Sequence, residues 1–204
     1  MNCKEAGFRA FYKHFSVFEI TADDRKLLEG FPGAEQADFF LTYGYMDEEA
    51  GLTLEVICCA KNLSRGFVFA DARTDIRSFI RFKDVFEREA FFIEEHILEE
   101  QYKEKLYMLK EYDVSDEVEE TRKLTLVDDC RDLCFIDDVL VYFMKDGLEV
   151  EGCWVRLLSV NESTISGILL HDPNQRFKCH KGDIIEFRLQ ETDEKKLVCV
   201  KIFE

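Results

Sequence analysis

The sequence predicts an α+β protein in two parts: an N-terminal antiparallel meander with a long acidic helix, then a small barrel-like all-β domain. Three observations predict this. Apolar residues recur at spacings of three and four from about 75 to 112, the period of a helix face. After about 122 the period changes to two, and short apolar runs alternate with turn signals. Between 84 and 120 the chain carries 14 acidic residues against 4 basic ones, a net of −10, as an exposed helical face would. The division is expected near 120, giving domains 1–120 and 121–204.

Taken in order, Phe8, Phe11, Tyr12, Phe15 and Phe18 keep helical spacing and predict a first helix. Thr21 and Asp24 stand in a capping-box relation, and Gly30 and Pro32 supply a stop, so a short helix is expected over 22–29. The run Asp38-Phe39-Phe40-Leu41-Thr42-Tyr43-Gly44-Tyr45 is aromatic and β-prone. A turn over 47–51, a strand from Leu52 to Cys58 and a third at Gly66-Phe67-Val68-Phe69 complete a meander over 37–70. Ile76, Phe79, Ile80, Phe86, Ala90, Ile93 and Ile97 then predict the long helix, with a break near Lys83-Asp84. Residues 113–121 read as a polar connector. Strands follow at 123–127, 139–144, 150–160, 164–171, 183–189 and 196–203. Lys145-Asp146-Gly147, Asn161-Glu162-Ser163 and His171-Asp172-Pro173-Asn174 are the turns. Trp154, among Val155, Leu157 and Leu158, is expected to anchor the core of this sheet.

Composition narrows the function classes. The chain has 204 residues, 47% hydrophobic and 34% charged, with a formal charge of −16. Apolar content of that order excludes wholesale disorder. No run of about 18 apolar residues exists, so no transmembrane helix is expected. No apolar stretch follows Met1-Asn2-Cys3-Lys4-Glu5, so no secretory signal is read and the protein is expected to be cytoplasmic. Its eight cysteines are accordingly expected to be reduced, buried thiols. The acidic balance argues against nucleic acid and anionic membrane, both of which need basic surface. It permits a basic protein partner, because complementary potential speeds association and excludes wrong partners.

Motifs for catalysis are missing. There is no Gly-x-Ser-x-Gly elbow and no Gly-rich phosphate loop. Cys130, Cys134, His171, Cys179 and His180 contain metal-ligand types, but without a Cys-x-x-Cys knuckle they read as buried thiols and surface histidines. Glu94-Glu95-His96 lacks the spacing of a zincin or di-iron helix and reads as a solvated face. No catalytic residue, metal or cofactor is therefore expected. Glu94, Glu95, Glu99 and Glu100 are the candidate partner-binding residues, because charge complementarity accelerates association with a basic protein. Arg73, Arg77 and Arg81, spaced by four, would form one helical stripe able to grip phosphates bidentately. They define the alternative reading, a nucleotide or small-ligand binding module.

Three phrases in the C-terminal part are familiar together: Gly152-Cys153-Trp154-Val155-Arg156, Ile165-Ser166-Gly167-Ile168-Leu169-Leu170, and Lys181-Gly182-Asp183-Ile184-Ile185-Glu186-Phe187. Over about 138–190 the chain resembles a small bacterial β-domain of unknown function, related to immunity proteins of bacterial toxin systems. The resemblance implies a non-enzymatic immunity or regulatory role and brings no site residue with it. The family's acceptor-rich segment after the Gly-x-Leu strand is here His171-Asp172-Pro173-Asn174-Gln175, a departure from the pattern.

Overall fold

Each part of the chain is organised by a sheet whose strands are too apolar to leave uncovered. The structure is a computed structural model, which describes every residue except Arg65, Glu94, Glu95, Glu162 and Ser163, and the side chain of His96. The chain forms two compact units, Met1–Asp113 and Val114–Glu204.

The first unit opens with a one-turn helix, α1 (Cys3–Ala6), capped by the Asn2 side chain, and a 3-10 turn over Phe8–Ala10. Four strands follow: β1 (Phe15–Glu19), β2 (Phe39–Asp47), β3 (Gly51–Leu63) and β4 (Gly66–Phe69). Two shorter ones, β5 (Phe79–Arg81) and β6 (Phe91–Phe92), complete an antiparallel sheet of order β4-β3-β2-β1-β6, with β5 also on β3. Two short helices, α2 (His96–Gln101) and α3 (Lys103–Met108), then lead into a 3-10 turn over Leu109–Tyr112. The expected meander over 37–70 is present as β2, β3 and β4, with the turn at Asp47–Gly51 in place.

The expected helix over Phe8 to Phe18 is not formed, because Phe15 and Phe18 lie in β1. They pair across to Tyr43 and Phe40 of β2. Strand β1 is buried on both faces: Phe15 and Val17 pack with Leu41 and Cys58, while Phe18 stacks on Phe40 at 5.7 Å and on Phe11 at 6.4 Å. A strand covered on both sides loses its alternation, so its aromatic spacing mimics a helix. The helix expected over 22–29 is a 3-10 turn at Asp23–Lys26. Asp24 does accept from the Thr21 amide at 2.7 Å, as the capping relation requires, but it is buried and gripped by both Arg88 nitrogens at 3.0 Å.

The long acidic helix is also absent. Its residues are divided among β5, a 3-10 turn (Phe82–Val85), β6, α2 and α3. Open edges account for much of this. β5 completes the hydrogen bonds of β3 at Thr53–Glu55, and β6 completes those of β1 at Ser16–Val17. Backbone groups on a sheet edge need partners, and a segment carrying Ile80, Phe82 and Val85 into the core supplies them.

The second unit begins with α4 (Asp116–Lys123), where a polar connector was expected. Its only apolar side chain is Val118, so no stripe announces it. It is held instead by its ends: Ser115 accepts from the Val118 amide, acids fill the first turn, and Arg122 and Lys123 end the last. The strand expected over 123–127 is replaced by a 3-10 turn, Thr125–Cys130. The other five strands are formed: β7 (Asp138–Lys145), β8 (Glu151–Val160), β9 (Ile165–Leu169), β10 (Ile184–Glu191) and β11 (Leu197–Phe203). They close as a barrel, with every neighbour antiparallel except β11 and β7. An up-and-down series with an odd strand number leaves its first and last strands pointing the same way, so closure requires that one parallel pair.

Val139, Val141 and Phe143 of β7, Cys153, Val155 and Leu157 of β8, and Ile185 and Phe187 of β10 alternate inward to fill the barrel. Trp154 lies between two inward residues and is only half-buried, so it does not anchor the core as expected; its amide donates to His171 Nε2. Gly167 is required by close approach. A Cβ there would meet the Arg156 carbonyl oxygen at 2.4 Å and Val155 Cγ1 at 2.6 Å. Gly167→Ala is expected to lower unfolding free energy by roughly 2 kcal/mol, the scale of overpacking a tight site. Urea titration checks this, and a loss below about 0.5 kcal/mol would mean that the barrel wall yields freely.

Candidate functional site

Of the acidic residues predicted to bind a partner, Glu99 and Glu100 are exposed on α2, and Lys103 Nζ lies 2.6 Å from Glu100. Glu94 and Glu95 lie outside the described residues. Arg73, Arg77 and Arg81 do not share a helix face, since only β5 is regular in that stretch. Each guanidinium lies on a carboxylate of the chain itself. Arg73 forks onto Asp75, Arg77 reaches Glu111 at 2.7 Å and Glu55 at 3.3 Å, and Arg81 reaches Asp47 at 3.0 Å. This spreads the phosphate grip over three separate ion pairs.

A different site emerges in the first unit. A cavity of about 640 Å³ lies against the β2 face and is walled by α3 and the 3-10 turn after it. Five of the chain's seven tyrosines line it: Tyr12, Tyr43, Tyr45, Tyr107 and Tyr112. The local structure explains the convergence. Tyr43 and Tyr45 stand two apart on β2 and so share a face. Tyr107 lies in the last turn of α3, and Tyr112 ends the turn that follows. Tyr12 is brought in by a parallel bridge to Gly44, where a Cβ would lie 2.0 Å from the Phe11 carbonyl oxygen. Tyr45 and Tyr112 pack ring to ring at 4.3 Å, and Tyr43 meets Phe15 edge-on at 4.9 Å.

A buried charge network supports two of these tyrosines, Tyr45 and Tyr112. Glu55 on β3 is fully buried, as is Lys105 on α3, and their charges stand 2.9 Å apart. Lys105 Nζ is aligned on the Ile76 carbonyl, so Glu55 Oε1 is answered by proximity of charge and not by an aligned hydrogen bond. Arg77 adds the second cation, donating to Glu55 Oε2 at 3.3 Å and to the Tyr45 hydroxyl at 3.4 Å, with its guanidinium 5.6 Å from the Tyr112 ring centre. Burial, with the nearby Tyr112 and Glu55, pushes the Tyr45 phenol well above its usual range. It therefore stays a neutral hydroxyl at physiological pH.

Around the rim stand Glu99, Glu104 and Asp113, with Lys13, Lys103 and Lys110. The lysines are engaged: Lys13 lies over the Tyr12 ring at 5.3 Å, Lys110 over Tyr107 at 5.2 Å, and Lys103 on Glu100. Rigid aromatic side chains with a polar tip give large contact area at low entropic cost, the composition of surfaces that hold polypeptides. Among the described residues, Glu99 is the one shared by the predicted acidic site and this groove. Sequence spacing does not reveal the rest of the groove because its tyrosines are scattered through the chain; Tyr43-Gly44-Tyr45 reads only as a strand.

Among the described residues, no three His, Cys, Asp or Glu side chains are grouped to hold a metal ion. No helix among them is long and apolar enough to cross a membrane. No protein-family model, curated protein or solved structure matches the chain.

Two variants test the groundwork of the site. Glu55→Gln strands Lys105 as a buried charge and is expected to cost about 3–5 kcal/mol of stability, with most of the loss recovered when Lys105→Met is added. Equal losses in the single and double variants would show that the pair carries no such coupling. Asp47 reports on Arg81. Burial raises its carboxyl pKa, but the Arg81 guanidinium and the amides of Glu49 and Ala50 outweigh this and hold it below the usual range. Its stabilisation is therefore full near neutral pH and lost as pH falls through that lowered value. Asp47→Asn should destabilise at about pH 7, and the deficit should shrink as acid protonates Asp47 below the usual carboxylate range, read from urea midpoints; a deficit independent of pH would reject the ion pair as its source.

Proposed function

We propose that the protein is a non-enzymatic, cytoplasmic binding protein whose partner is a basic protein, and that the tyrosine-lined groove receives a segment of that partner. The observation that carries this reading is the gathering of five of seven tyrosines around one cavity with Glu99, Glu104 and Asp113 at its rim. Tyrosine faces attract guanidinium and ammonium groups, and carboxylates at the rim answer the same charge. Of the groove's own lysines, Lys103 is paired with Glu100, while Lys13 and Lys110 lie over Tyr12 and Tyr107. The overall charge of −16 steers a basic partner from a distance and repels acidic ones. The resemblance of residues 138–190 to β-domains related to toxin-immunity proteins supports an inhibitory or regulatory form of this role.

The partner would be isolated at low salt and its affinity measured by titration with purified components. Affinity is expected to fall at least roughly tenfold between about 50 and 500 mM salt, as screening removes the long-range attraction. Tyr107→Ala and the pair Glu99→Lys with Glu104→Lys should each weaken binding by a similar factor, since all three side chains are exposed and leave the core intact. A partner whose affinity ignores both the salt and these substitutions would move the interface away from the groove.

A further inference from the structure

Three of the groove's tyrosine rings already have a cation of the chain beside them. Lys13 Nζ lies 5.3 Å from the centre of the Tyr12 ring, and Lys110 Nζ lies 5.2 Å from that of Tyr107. Both distances fall inside the roughly 6 Å at which a ring face attracts a positive charge. The two lysines and Tyr107 are exposed, and Tyr12 is half-buried. The third cation, the Arg77 guanidinium 5.6 Å from the Tyr112 ring centre, is a fixed part of the fold, donating to Glu55 and to the Tyr45 hydroxyl. The seat of a guanidinium is thus filled. The two seats at the rim hold ammonium groups on flexible stems.

The carboxylates of the groove are in the opposite condition. Glu99 on α2, Glu104 on α3 and Asp113 after the turn are exposed, and among the described residues none of the three is ion-paired. Elsewhere in this unit acids beside cations are answered: Asp24 by Arg88, Asp47 by Arg81, Glu55 by Lys105 and Arg77. The groove therefore has ring faces that hold ammonium groups, and acids that hold none.

We propose that the groove binds the ammonium groups of lysine side chains on a partner polypeptide, and that Lys13 and Lys110 are resident occupants displaced when that segment docks. The inference rests on the reading that a basic segment enters the groove, and it names the side chain selected. Docking is then an exchange. An exposed lysine of the chain leaves its ring for water at little cost, because its long stem keeps the ammonium hydrated in either place. The incoming ammonium takes the ring and also meets Glu99, Glu104 or Asp113, so it gains a carboxylate with the aromatic face. Several lysines on one segment outcompete the two residents where an isolated ammonium does not, because each later contact is made at high effective concentration. A free polyamine carries the same ammonium chemistry. A tyrosine-lined groove of about 640 Å³, with its acids on separate elements, fits a polypeptide better.

The test is titration of the full chain with a fluorescein-labelled lysine octapeptide, read by anisotropy at about 50 mM salt. A chain of charge −16 attracts any polycation, so each groove variant is read against a barrel variant with the same change of charge. Glu99→Gln, Glu104→Gln and Asp113→Asn together should weaken binding at least about fivefold, and Glu186→Gln, Glu191→Gln and Asp193→Asn together less than about twofold. Lys13→Gln with Lys110→Gln should tighten binding at least about threefold more than Lys178→Gln with Lys181→Gln, since only the first pair vacates ring faces. Every substituted side chain is exposed, so none of these variants opens the core. An arginine octapeptide and spermidine should each bind more weakly than the lysine peptide. Equal effects from the groove and barrel sets would overturn the site. Arginine peptide or spermidine binding as tightly would overturn the lysine-bearing polypeptide as its ligand. If the lysine peptide ignores the groove substitutions while the natural partner is weakened by Tyr107→Ala, this inference fails and the basic-segment reading stands. A partner indifferent to Tyr107→Ala removes that reading, and this inference with it.

Discussion

A carboxylate sealed in the middle of a sheet constrains everything placed around it. Glu55 occupies β3 at zero exposure, where an unanswered charge would be prohibitive. Lys105 and Arg77 come to it from separate stretches of sequence and so fix α3 and the segment before β5 against the same strand. Arg77 then passes the constraint outward, donating to Tyr45 and lying over Tyr112. The groove is therefore built on a charge network that holds its aromatic walls. The arginine that sequence spacing marks as a phosphate ligand serves here to position two tyrosines.

The second unit solves a different problem with related means. Its barrel closes through one parallel pair, and the chain enters through a polar helix that has little apolar surface to bury. Ion pairs hold that entry. Asp137 and Asp138 are consecutive and take different arginines: Arg122 of α4 grips the first at 2.8 and 2.6 Å, and Arg156 of β8 grips the second at 2.7 and 3.0 Å. Arg131 donates to the Thr121 carbonyl in α4 and to the Ile136 carbonyl ahead of β7, tying the end of the helix to the start of the barrel. Much of the charge in this acidic chain is therefore committed inside the fold.

Cysteine chemistry follows from burial in the same way. Seven of the eight thiols are buried and serve as small apolar side chains, and Cys134 is half-buried. Cys130 donates from its thiol to the Leu197 carbonyl at 3.6 Å, a contact between residues far apart in sequence.

Where one face of a strand is buried and turn residues mark its ends, sequence and structure coincide: the five barrel strands and the β2–β4 meander are legible in their period of two and in Lys145-Asp146-Gly147. The Thr21–Asp24 capping relation is legible too, although it serves a buried ion pair instead of a full helix. Periodicity misleads where both faces are buried, as in β1, and where an open sheet edge recruits a segment, as in β5 and β6. It is silent for α4, whose stability lies in its caps and its arginine contacts. Local pattern and composition were enough for the class of fold, the barrel strands and the sign of the surface, because each of these is a property of neighbouring residues or of their sum. The groove and the Glu55 network arise only when the chain is folded, because each depends on side chains that no local rule places together.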